Sequence, residues 1–204
     1  MKKIILSLFV IAAMTSLQAN AFDVGSTLKF WDRATEARTA QEQTTKTLAD
    51  IQSQMTTIDK SVQDAFINIA SELSTRKEVK SIKSDLKANS ENLATVISTY
   101  TAKMANDKDN FTKKISKLST KEKTALVNNL ATLSEDAQQY LLLATDGIKT
   151  ASTALKNTQK LSEFATTVTN INNVAGQLKR RATTVINLAN QAKSIAQAAG
   201  VTVQ

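Results

Sequence analysis

From Leu48 onward the apolar positions fall at Leu48, Ile51, Met55, Ile58, Val62, Phe66, Ile69 and Leu73. Steps of three and four keep these side chains on one stripe of an α-helix, and a seam of that period packs against a neighbouring helix. Two successive four-residue steps, Ile58–Val62–Phe66, read as a stutter in the heptad. Upstream, Leu28, Trp31, Ala34 and Ala37 extend the stripe. One helix of about 45 residues is therefore expected, about 70 Å long if continuous. The preceding "FDVG", residues 22–25, is expected to be a short extended lead-in, with Ser26 or Thr27 as the cap.

"LSTRKE", residues 73–78, predicts a corner, with Ser74 offering a cap and Glu78 lying in the first turn of the next helix. The second seam runs Val79, Ile82, Leu86, Asn89, Leu93, Val96 and Tyr100. Asn89 occupies a core slot in it, where a lone Asn fixes register at a cost in stability. "NDKDN", residues 106–110, is the predicted boundary before a short segment whose face is Phe111, Ile115 and Leu118. Ser119 and Glu122 have capping-box spacing, so another helix is expected to start near Thr120. Its seam is Leu126, Leu130, Leu133, Ala137, Tyr140, Ala144, Ile148, Ala151 and Leu155. "TDGI", residues 145–148, is expected to bend it, because Gly weakens a helix. The last seam starts at Leu161, Phe164 and Val168 and becomes Ala-rich towards Ala199. Gly200 is the natural stop, and "VTVQ" is expected to fray.

The pattern predicts an all-α fold: an elongated, antiparallel, coiled-coil-like bundle of three to five helices. It forms one domain over residues 22–204, with corners near 74–78, 106–110 and 118–121. Composition supports long helices, since the chain has no Pro and only 4 Gly. It also has no Cys, so packing alone must hold the fold. With nine aromatic residues, 6 Phe, 1 Trp and 2 Tyr, the core must be mainly aliphatic.

The first residues read differently. In "MKKIILSLFVIAAMTSLQANA", Lys2 and Lys3 precede an apolar run from Ile4 to Met14, and Ala19-Asn20-Ala21 is a small-residue cleavage pattern. This is the layout of a bacterial Sec signal peptide over residues 1–21, cleaved after Ala21. The run is too short to span a bilayer, which takes about 20 apolar residues. The expected location is periplasmic or secreted. Cleavage removes Lys2 and Lys3, so the net charge falls from +8 to +6. The remaining charge is uneven: the first mature helix is acidic, whereas residues 74–123 and 141–204 are basic.

Catalysis finds little support. The chain has no His and no Cys, hence no imidazole base, no thiolate nucleophile and no soft metal site. "NDKDNFTKK" lacks the Gly and terminal Glu of a calcium loop. Glu135 and Asp136 are adjacent and point in different directions on a helix. No catalytic residue, metal site or cofactor is expected, and the chain reads as a non-enzyme. Nucleic acid is a poor partner, because the aromatics do not interleave with basic residues.

The candidate surface is a stripe of like charge. In "RKEVKSIKSDLK", residues 76–87, Arg76, Lys80, Lys83 and Lys87 share one helical face. That is a candidate strip for an anionic partner: an acidic protein face or an anionic membrane surface. The alternative is a solvated bundle face, with Glu78, Asp85 and Glu91 nearby to moderate repulsion. Lys113, Lys114, Lys117, Lys121 and Lys123 form a second cluster, and Lys179, Arg180 and Arg181 a third. Phe22, Phe30 and Trp31, near the mature N-terminus, are candidate anchors for a partner or membrane.

These features point to an exported, non-catalytic protein that works through protein–protein contacts in the periplasm or cell envelope, as an assembly subunit. A membrane-surface, lipid-binding or pore-forming helical protein is the first alternative, and a periplasmic chaperone the second. The helix seams also permit a homo-oligomer. In layout, a mature N-terminus followed by a long Gln/Thr/Ala-rich helix resembles minor pilin subunits of type IV secretion systems. The resemblance covers only the first part of the mature chain, has no specific motif and transfers no functional residue.

Overall fold

A computed structural model describes residues 24–88, 93–156 and 165–203. The expected signal peptide and cleavage site, as well as Phe22, Asn89, Leu161 and Phe164, lie outside the described residues. The chain divides into two units, Met1–Thr39 and Ala40–Gln204. Of the first, residues 24–39 are described and are helical. The packing that follows is that of the second.

The described residues form α1 (Val24–Leu73), α2 (Arg76–Ala88), α3 (Leu93–Asn106), α4 (Lys108–Lys117) and α5 (Thr120–Leu142). A π-helical turn (Leu143–Gly147), α6 (Ile148–Lys156) and α7 (Ala165–Ala198) follow. Among the described residues there is no strand, and the fold is all-α. Among the described residues the helical segments outnumber the three to five helices expected. The described residues of the stretch read as one second helix are α2 and α3, on either side of residues 89–92, which lie outside the described residues, and residues 108–117 make a helix of their own. At the other end, helix already begins at Val24, so Val24 and Gly25 are not the extended lead-in expected of "FDVG".

The seam of α1 is its buried face: Ile51, Ile58, Val62, Phe66, Ile69 and Leu73 are all nearly inaccessible. Its contacts with the second long helical run are ordered. As α1 advances through Ile51, Asp59, Ser61 and Asn68, the partners recede through Gly147, Tyr140, Asp136 and Asn129. The two runs are therefore antiparallel. A Cβ at Gly147 would come within 2.9 Å of Ile51 Cδ1. The glycine thus permits close approach of α1, and the stretch "TDGI", expected to bend the helix, lies at a π turn. Such a turn adds one residue to the helical repeat and shifts the register of the face beyond it. α7 packs extensively on α5 and α3, has smaller contacts to α4, the π turn and α6, and meets α1 where Arg181 pairs with Asp59. Its buried stripe mixes Leu178, Val185, Leu188 and Ile195 with Ala182, Ala192 and Ala196. Small side chains in such a stripe let helix axes approach.

The helix ends follow local chemistry. Ser119 and Glu122 form a reciprocal capping box at the start of α5, with Ser119 N–H donating to the Glu122 carboxylate at 2.7 Å. At the 74–78 corner the cap is Thr75, not Ser74. Thr75 N–H donates to Glu78 at 2.8 Å, and Glu78 N–H donates to the Thr75 hydroxyl at 3.4 Å. Thr75, not Ser74, has the three-residue spacing to Glu78 that a capping box needs. The Ser74 hydroxyl is instead 2.8 Å from the Tyr100 hydroxyl. Tyr100 stands edge-on between Phe66, at 5.3 Å between ring centroids, and Phe111, at 6.0 Å, which ties α1, α3 and α4 together. Burial pushes the Tyr100 hydroxyl up to about 12. In α3 the buried positions are Leu93, Ile97, Tyr100 and Met104, so Ile97 replaces the expected Val96. At the C-terminus Gly200 has φ +78°. Its N–H bonds to Gln197 O at 3.0 Å, and Val201 N–H bonds to Ala196 O at 2.9 Å. This is a Schellman cap, and Val201 is buried against the helix end instead of fraying.

Candidate functional site

α2 turns Ile82 and Leu86 inward, with Val79 half-buried. A helix with that inner stripe must present the remaining positions to solvent. Arg76, Lys80, Lys83 and Lys87 are all exposed, and among the described residues none of the four forms an ion pair. Glu78 is not free to moderate them. Its carboxylate pairs with Lys103 of α3 and accepts from the Thr75 N–H. The Lys103 bond and then the Thr75 bond hold it down at about 2. Asp85 remains exposed among the cations, and Glu91 lies outside the described residues. Beside the strip runs an open groove of about 340 Å³, lined by Ser71, Ser74, Arg76, Val79, Lys80 and Lys83. Chemically this is a cationic face with a partly apolar margin, suited to an acidic surface.

The other two basic clusters are partly absorbed by the fold. Lys114 donates to the Leu73 carbonyl at 2.9 Å, which closes the C-terminal end of α1, and lies 5.2 Å from the Phe111 ring centroid. Lys123 donates to Ser116 O at 3.2 Å. Lys113, Lys117 and Lys121 stay exposed. In the third cluster Lys179 and Arg180 face solvent, whereas Arg181 turns inward. Phe30 and Trp31 fall on the α1 backbone, but their side chains, like all of Phe22, lie outside what the structure describes. Leu141 and Leu142, which were not singled out from sequence, are large apolar side chains exposed at 41% and 58%.

The inward turn of Arg181 leads to a polar layer that sequence reasoning missed. Its guanidinium pairs with Asp59 of α1, and the Tyr140 hydroxyl of α5 donates to the same carboxylate. The side chains of Arg181 and Asp59 are only 13% and 16% exposed. Burial lowers the Arg181 value and raises that of Tyr140, the latter reinforced by nearby Asp136. One helical turn before Tyr140, Asp136 is 4% exposed, and one of its carboxyl oxygens has no hydrogen-bond partner. Burial raises its pKa, against a smaller opposing effect of the Ser61 hydroxyl bond, while Glu135 adds repulsion. Glu135 itself is exposed, as expected for neighbours on a helix. One sequence signal did point here: a Tyr in an aliphatic seam needs a partner for its hydroxyl.

Among the described residues, no acidic cluster of three or more could hold a metal ion, and no helix is long and apolar enough to cross a membrane. No family model, curated protein or solved structure matches the chain.

Proposed function

We propose that this chain is an exported, non-catalytic helical-bundle protein that docks to an acidic protein partner in the bacterial periplasm or cell envelope, as a subunit of an assembly. The observation that carries the reading is the exposed row Arg76, Lys80, Lys83 and Lys87 on α2, which forms no ion pair among the described residues. Export is argued from Lys2 and Lys3, the apolar run Ile4–Met14 and the Ala19-Asn20-Ala21 pattern. The seams of α1, α3, α5 and α7 support an antiparallel bundle with coiled-coil-like packing as the scaffold.

The test is fractionation of cells that make the tagged native protein, followed by crosslinking and capture with and without Lys80→Glu and Lys83→Glu. The expected result is a periplasmic protein held at low salt in a defined complex. The double reversal should weaken capture about tenfold, equivalent to about 1.4 kcal/mol. Unchanged capture by the double variant would end the docking role of α2. A protein that pellets with membranes and is released by salt would instead favour the lipid-surface alternative. Retention in the cytoplasm would remove the export reading.

A further inference from the structure

The interior holds a titratable group that the docking surface does not use. Asp136 is on the buried face of α5, with one carboxyl oxygen unpartnered and the Ser61 hydroxyl of α1 close enough to lower its value somewhat. Charge balance in this layer depends on its protonation. Asp59 of α1 and Arg181 of α7 cancel one another, and the Tyr140 hydroxyl is already committed to Asp59. Glu135, next to Asp136 on α5, is exposed and adds only negative charge. No described cation is left over for an ionised Asp136. With its proton on, the layer is neutral, and a neutral hydroxyl lacking one partner costs far less than an unpartnered buried charge. With the proton off, one uncompensated negative charge lies beside the antiparallel contact of α1 with α5.

We propose that Asp136 is a proton-binding site that acts as a latch between α1 and α5: protonated it closes the contact, and ionised it loosens it. The direction follows from linkage. A carboxyl whose folded value is raised contributes stability that is fully present below its unfolded value, near the ordinary 3.8. That contribution is lost as pH rises through the higher folded value. The fold therefore tightens on mild acidification, the reverse of what an exposed ion pair produces. The latch is independent of the docking role of α2, and its failure would leave that role intact.

The experiment uses the full mature chain. The Asp136 carboxyl is followed by carbon NMR across pH 3–8, and thermal unfolding is measured at pH 5.0 and 7.5 for the native protein and for Asp136→Asn, which imitates the protonated acid. The carboxyl should titrate above the ordinary aspartate range of about 3.9. The native Tm should be a few degrees higher at pH 5.0, as a shift of about 1 kcal/mol produces in a chain of this size. Asp136→Asn should remove that difference. A carboxyl that titrates at or below the ordinary value overturns the proposal, whether or not the Asn variant folds. So does an Asn variant that folds and keeps the native pH difference.

Discussion

Arg180 and Arg181 are neighbours with opposite surroundings: one faces solvent and the other is engaged with Asp59. Arg180→Ala should change unfolding free energy by less than about 0.5 kcal/mol. Arg181→Ala strands a carboxylate in the interior and should cost about 3 kcal/mol, read from urea denaturation. Equal effects at the two positions would show that the inner pair contributes nothing. The two buried tyrosines make a second comparison. Tyr140→Phe removes a bond to a carboxylate, whereas Tyr100→Phe removes one to the Ser74 hydroxyl. Bonds to charged groups are worth about 1.5–3 kcal/mol and neutral ones about 0.5–1.5, so Tyr140→Phe should be the more damaging. This layer was poorly legible in the sequence for a physical reason. Asp59 is one position away from seam residue Ile58, and Arg181 is one of three consecutive basic residues beside seam residue Ala182. Each reads alone as a surface charge, and their pairing joins positions 122 residues apart.

At the scale of elements, legibility follows the range of the interaction. The α1 seam and the Ser119–Glu122 box are local patterns, and both are present. The misplacements are of one residue. Thr75 takes the cap because only it has the right distance to Glu78, and Ile97 takes the core slot in place of Val96. The burial of Val201 needed the Schellman geometry, in which the residue after the glycine folds back on the helix. Gly147 gives the element-scale test. Alanine there gains about 1 kcal/mol in helix propensity but crowds Ile51. Overpacking of that kind costs about 1–3 kcal/mol, so Gly147→Ala alone should be neutral to destabilising. In an Ile51→Ala background the obstruction is gone, and the same change should become stabilising. A double-mutant cycle with no coupling between the two positions would show that α1 does not approach the π turn as described.

At the scale of the whole molecule, two kinds of carboxyl oppose one another as pH changes. Glu78 is held down at about 2 by Lys103 and the Thr75 cap, and Glu122 is lowered by its bonds to Ser119. Groups of this kind give stability that is present above their unfolded value, the ordinary 4.5, and lost as pH falls through the folded value. Asp136 is raised, so its contribution is present at low pH and lost as pH rises. The two limbs oppose one another, so Tm should be highest between the folded values of the two kinds of carboxyl. Below that, protonation also adds positive charge to a chain whose sequence already carries +8, which steepens the acid limb. The limbs can be separated. Glu78→Gln should flatten the loss of Tm between pH 5 and pH 2.5 and leave the loss on the alkaline side untouched, because that limb belongs to Asp136. Since the Glu78–Lys103 pair is partly exposed, salt near 1 M should shrink the acid limb in the native protein more than in Glu78→Gln. If Glu78→Gln leaves the acid limb unchanged at low salt, the α2–α3 ion pair contributes nothing to stability. α2 would then owe its place to the burial of Ile82 and Leu86 alone, with its cationic face carried on an apolar footing.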